Sequence, residues 1–262
     1  MENTEWFLAC MAVILAVSLL GAYIPMSVRT TDRRIHLMIA FSAGIFLGVL
    51  FLMLIPEAIE EGAEGGFDTH EVMYAMLAGF LGIFIFDFLY RHYSKSECDC
   101  RECKDMHSHD LTSFSAFAGL AIHACFDGLA LAAAFVAGED VGVVVLIAIC
   151  IHKVVEVFSL SSTFLLSNRR SRAVRYLVPF CLVTPAAGIV SHLLLDGADI
   201  GVAGMAFAVS AGIFAFVTMI DILPEAFHRK DIDVRSVALM LIGLAVVVAV
   251  VAFTTAVGGH VH

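Results

Sequence analysis

The sequence predicts an all-α polytopic membrane protein with eight transmembrane helices and both termini outside the cytoplasm. Three observations lead there. Apolar residues fall in blocks of about 20, the length that crosses a hydrocarbon core ~30 Å thick at 1.5 Å per residue. Fourteen of the fifteen Lys and Arg residues lie in alternate connections between those blocks, as cytoplasmic loops require. Only 15% of the 262 residues are charged and 60% are hydrophobic, against roughly 25% charged in a soluble domain. The partners expected are the lipid bilayer and a small ion, with no nucleic acid.

The elements follow in order. The first block, 6–25, has no cation before it and no small-residue cleavage pattern after it, so it is read as a retained span. Arg29, Arg33 and Arg34 lead into the second, 36–56, which ends at Pro56, where a missing N–H costs least. The third, 71–92, runs into a cytoplasmic connection holding Arg91, Lys95, Arg101 and Lys104. The fourth, 112–137, and the fifth, 141–166, are joined by a short turn around 137–141 and are therefore antiparallel neighbours. Arg169, Arg170, Arg172 and Arg175 introduce the sixth, 174–194; the seventh is 200–225. Arg229, Lys230 and Arg235 introduce the eighth, 234–257. The chain thus reads as one transmembrane domain, 1–262, with a cytoplasmic Cys/His loop at 93–111.

The outer side is acidic, with Glu57, Glu60, Glu61, Glu64, Asp68, Glu139, Asp140, Asp196 and Asp199. Much of the formal charge of −10 therefore sits on one face. Two readings stand: a vestibule that concentrates cations, or outer loops that merely lack Lys and Arg. The seven cysteines are divided between spans (Cys10, Cys125, Cys150, Cys181) and the cytoplasmic loop (Cys98, Cys100, Cys103). None lies outside, so no disulfide framework is expected.

Residues 42–58, SAGIFLGVLFLMLIPEA, align without gaps on 210–226, SAGIFAFVTMIDILPEA, and 9 of 17 positions are identical. The first copy lies in span 2, running outward, and the second in span 7, running inward. Spans 1–3 and 6–8 are therefore read as inverted halves flanking the pair 4–5, a 3+2+3 arrangement. Transporters built this way place the substrate near the midplane. The repeat pairs Met53 with Asp221.

Ionisable residues inside spans are costly and are functional candidates by default. Span 4 carries His123 and Asp127; span 5 carries His152, Lys153 and Glu156. Each His–acid pair has i, i+4 spacing and shares a helix face. Both histidines lie roughly 16 Å into their spans, so two imidazoles and two carboxylates converge at one level. That donor set suits Zn²⁺, and also Fe²⁺, Mn²⁺ or Cd²⁺. Met53 is placed to add a thioether. Lys153 projects about 100° from His152, and its ammonium is read as filling the place of a second metal beside the carboxylates. A simple intrahelical ion pair is the plainer reading of each half.

At these residues the chain resembles the Zrt/Irt-like (ZIP) family of metal transporters. The family's fourth-span signature, roughly His-Asn-x-x-Glu-Gly, is matched by His123-Ala124-Cys125-Phe126-Asp127-Gly128, and its fifth-span His-Lys-x-x-Glu by His152-Lys153-Val154-Val155-Glu156. Thr184-Pro185 and the two Pro-Glu-Ala segments also match. The resemblance implies movement of Zn²⁺ or a related ion toward the cytosol, a 3+2+3 fold that is often dimeric, and an elevator-like motion. It implies first-site ligation by His123, Asp127, His152 and Glu156, with Met53 where many relatives have His. Ala124 and Thr184 stand where dinuclear relatives have Asn and Glu, which with Lys153 leaves the second site without its usual ligands.

Glu57 and His70 are candidates for collecting ions outside, and Asp221 and Glu225, with His228 beyond, for receiving them inside. Asp87 and His192 are further polar candidates. Cys98, Cys100, Cys103, His107 and His109 form a candidate metal-capturing loop, with an ordinary polar linker as the equal alternative. No catalytic cofactor is expected; the metal is the substrate. Two other functions remain open at this point: an intramembrane metallohydrolase, for which no HExxH motif exists, and a metal-sensing receptor.

Overall fold

The computed structural model describes residues 2–27, 32–93, 101–167, 170–194, 200–227 and 234–258. Among them nearly every residue is helical and none is in a strand. The helices are α1 (Glu2–Ser27), α2 (Asp32–Val49), α3 (Ile55–Glu64), α4 (Thr69–Tyr93), α5 (Arg101–Ala137), α6 (Glu139–Ser167), α7 (Arg170–Leu194), α8 (Ile200–Phe216), α9 (Leu223–Ala226) and α10 (Val234–Gly258). Two π turns, Leu50–Leu54 and Val217–Ile222, join α2 to α3 and α8 to α9. Eight of the resulting helices are long and apolar enough to cross a membrane. Large side chains such as Leu77, Leu81, Phe84 and Phe88 of α4 are exposed, as a lipid-facing surface allows.

Two sequence expectations are corrected. Pro56 does not end its span: the helix runs on through Glu64, 32 residues from Arg33. A proline cannot donate to the carbonyl four residues back and its ring crowds it; here a π turn lies immediately before the proline and shifts the bonding register. Pro224 is preceded by a π turn in the same way. The second correction concerns 93–111. Tyr93 closes α4, and residues 101–111 are the opening turns of α5, which is 37 residues long. Of Cys103, His107 and His109 only the backbone is described, and Cys98, Cys100 and His228 lie outside the described residues.

The packing divides the spans into two bundles. One contains α1, α5, α6 and α7, with α1 against α6 and α7, and α5 against α6 and α7. The other contains α2–α3, α4, α8–α9 and α10, with α2 against α10 and α4 against α8. Contacts between the bundles run from α2 to α6 and from α5 to α8. Exchanging 1–3 for 6–8 and span 4 for span 5 maps this neighbour pattern onto itself, so the inverted repeat of the sequence is also a repeat of the packing.

Glycine explains how each bundle is held. A Cβ on Gly44 or Gly243 would strike the backbone of α10 or α2, and one on Gly79 or Gly212 the backbone of α8 or α4. A Cβ on Gly128 would lie 2.5 Å from both Gly188 N and Thr184 O. These approaches are all within a bundle. Gly119, which faces the other bundle, would meet only the side chains of Val217, Ile213 and Ile83. Small residues here allow close packing within each bundle, and at Gly119 the seam between bundles is filled by side chains. Gly128→Ala should therefore destabilise the first bundle by about 1–3 kcal/mol, seen as a lower melting temperature in detergent. An unchanged melting temperature would remove this account of the bundle.

Candidate metal centre

The sharp turn at Gly138, whose N–H donates to Ala134 O at 3.0 Å, returns the chain from α5 to α6 and sets the two helices side by side. Each then presents its i, i+4 pair from the same depth. Asp127 is the meeting point. Its Oδ1 lies 3.4 Å from His123 Nε2 and its Oδ2 lies 3.5 Å from His152 Nε2. The two imidazole centroids are 6.0 Å apart. His123, Asp127 and His152 each offer one ligand atom, all within 4.8 Å of one another, and all three residues are buried.

These separations are long for N–H···O hydrogen bonds, whose usual length is about 2.9–3.0 Å. They fit a different object. Ligand atoms held about 2.0–2.1 Å from a tetrahedral ion lie about 3.3–3.4 Å from each other along a tetrahedral edge. His123 Nε2 and both ring nitrogens of His152 have no hydrogen-bond partner in spite of burial. A buried polar atom left unpaired costs about 1–3 kcal/mol, and a cation between the imidazoles and the carboxylate would relieve it.

Lys153 shares Asp127 Oδ2 with His152. Its Nζ is 2.6 Å from Asp127 Oδ2 and is also bonded to Glu156 Oε2 through the i, i+3 spacing. The ammonium lies 5.9 Å from the Phe180 ring centroid. Glu156 is fully buried, yet it is tied to Asp127 through Lys153 and lies outside the three-residue cluster. Met53 sits on the first π turn, half-buried against the core.

One polar residue of the site went unrecognised in the sequence. Ser210 Oγ is 2.8 Å from His123 Nδ1 and turns Nε2 toward Asp127, while the Phe214 ring lies 4.7 Å from the imidazole. Both residues belong to the second repeat copy, and a serine opening an apolar block was the available signal.

The remaining candidates are spread along both ends. Glu57, half-buried on α3, is close enough to interact electrostatically with His152 and Asp127. His70 is exposed in the first turn of α4, which opens with a capping box: Asp68 Oδ1 accepts from Glu71 N and Glu71 Oε2 from Asp68 N, both at 2.9 Å. Asp221 lies buried in the second π turn and Glu225 buried in α9. Asp87 is buried in α4. His192 is stacked on Phe7 at 4.4 Å, far along α7 from the cluster and consistent with packing.

A family model described as the ZIP zinc transporter matches residues 4–109 and 92–251. Zinc transporter ZIP9-A of Xenopus laevis is 26% identical over 259 residues, covering 82% of this chain and 86% of that protein. Zinc transporter ZIP9 of Micropogonias undulatus is 27% identical over 259 residues, covering 81% and 84%. Zinc transporter ZIP1 of Takifugu rubripes is 24% identical over 302 residues, covering 92% and 96%.

Proposed function

Since this chain belongs to the ZIP zinc transporter family, we propose that it carries Zn²⁺ across its membrane toward the cytosol through His123, Asp127 and His152. The observation that carries the reading is the cluster itself: two unpaired imidazole nitrogens about one tetrahedral edge from a shared carboxylate, on the pair of helices that meets the second bundle. Such a donor set, without thiolate, binds firmly enough to replace water and loosely enough to release. Fe²⁺, Mn²⁺ and Cd²⁺ are chemically compatible competitors.

The positive-inside pattern supports placing both termini outside the cytoplasm. With that orientation Glu57 lies on the outer side of the site, and Asp221 and Glu225 on the cytoplasmic side. An incoming ion passes from the acidic outer helix α3 to Glu57, then to the cluster, then to Asp221 and Glu225. Lys153 keeps the site mononuclear by occupying the space between Asp127 and Glu156; Glu156 holds that ammonium in place, and Met53 adds a thioether to the ion's shell. His70 is an outer collector. Cys98, Cys100, Cys103, His107 and His109 take up released metal in the cytoplasm.

Purified protein in liposomes should accumulate Zn²⁺ down its gradient, and excess Fe²⁺, Mn²⁺ or Cd²⁺ should compete in proportion to affinity. Zinc binding with no net flux would sink the transport reading in favour of a metallohydrolase or a receptor.

A further inference from the structure

The two halves of the repeat hold their histidines differently. The offset that aligns 42–58 on 210–226 pairs Ser42 with Ser210 and Phe46 with Phe214. In the second half, Ser210 and Phe214 reach across the seam from α8 to His123 of α5. In the first half, α2 packs against α6 as α8 packs against α5, but the matching contacts to His152 are missing among the described residues. Ser42 Oγ donates instead to Met38 O of its own helix at 3.0 Å. The Phe46 ring meets Phe214, at 5.0 Å. His152 is left buried with both ring nitrogens unbonded.

A serine bonded to the carbonyl one turn back holds its hydroxyl in reserve, since that carbonyl already serves the helix. The unbonded imidazole of His152, on the helix against which α2 packs, is the group that such a hydroxyl fits. We propose that Ser210 and Ser42 are alternating positioning residues, Ser210 orienting His123 in the state described here and Ser42 orienting His152 in its counterpart. The reason is symmetry. Transporters built from inverted repeats change access by moving one bundle against the other, and the counterpart state follows by exchanging the roles of the two halves. Whatever one half does across the seam in one state, the other half does in the second.

In the counterpart, Ser42 turns from Met38 O to His152 Nδ1 and Phe46 lies on the imidazole. Ser210 then releases His123 and bonds back to its own helix at Ala206 O. One serine–histidine bond exists in each state, so the exchange is close to balanced. The glycine packing agrees: the close glycine-to-backbone approaches lie inside the bundles, and Gly119, at the seam, meets side chains first. This inference rests on the transport reading above.

The test uses the full chain in liposomes of uniform orientation, with half-saturating Zn²⁺ measured separately from each side. Loss of one net hydrogen bond shifts a two-state equilibrium by about fivefold, and apparent affinity falls with the fraction of the competent state. Ser210→Ala should raise the half-saturation from one side and lower it from the other, by up to about fivefold. Ser42→Ala should reverse both signs, the double variant should return both close to wild type, and Ser→Thr at either position should retain wild-type behaviour. Ser42→Ala removes only a bond to its own helix here, so it carries the test alone if Ser210→Ala fails to fold. Shifts of the same sign in both single variants, or no shift in folded protein, overturn the proposal and leave transport standing. A wild-type chain with no zinc flux removes the transport reading, and this proposal with it.

Discussion

Asp127→Asn is expected to reduce zinc uptake by about 100-fold or more and to cost zinc binding by a similar factor. Among the described residues Asp127 is the one in contact with both imidazoles and with the buried ammonium. The substitution keeps the volume and removes the charge, so the ion loses its only anionic partner in the cluster. Outer-sphere partners of a metal are worth about 10–100-fold, and a direct ligand should exceed that range. Glu156→Gln provides the comparison, with a loss of about tenfold, because Glu156 acts behind Lys153. Direct measurement of ⁶⁵Zn uptake and equilibrium binding on the two variants decides the order. Equal losses would return Glu156 to the rank of a full ligand; near-normal uptake in Asp127→Asn would displace the site altogether. Breaking a buried ion pair costs about 3–5 kcal/mol, so the melting temperature of each variant must be measured alongside.

Lys153→Asp should raise the bound metal from one ion per chain to two. The ammonium occupies the space between two buried carboxylates and supplies the positive charge they need when no ion is present. Replacing it with a carboxylate leaves three acids together, an arrangement stable only with added cations. Lys153→Asn removes the charge without adding a ligand and should give a second ion of weaker affinity. Metal content of the purified variants, determined by elemental analysis after equilibration with Zn²⁺, reads the result. A stoichiometry that stays at one in both variants would show that Lys153 does not stand in for a metal.

The eight spans were legible because hydrocarbon thickness imposes a block length that no other constraint disguises. The limits of two elements were not. Past Pro56 the chain turns acidic, which reads as a loop. It stays helical because Ala58 and Gly62 form a buried stripe on which α8 packs, and Gly204 approaches Glu61 O there. That stripe is tertiary and invisible to local hydropathy. The opening of α5 is as polar as the connection before it, so composition cannot separate helix from linker there. In the site, i, i+4 spacing and equal depth were enough to bring His123, Asp127 and His152 together on paper. Sequence treated Asp127 and Glu156 as equivalent, because helix spacing is blind to the rotamer of Lys153. It missed Ser210 because a hydroxyl carries no charge penalty in a span and so draws no notice.

A π turn is an α-helix with a surplus residue, and the surplus here occurs at matched places in the two halves. One insertion in a half-length ancestor, copied when the halves were joined, accounts for both more simply than two separate events. The surplus also sets phase. Deleting Leu52 would wind the arm back by about 100° and swing Glu57 away from His152, leaving His123, Asp127 and His152 in place.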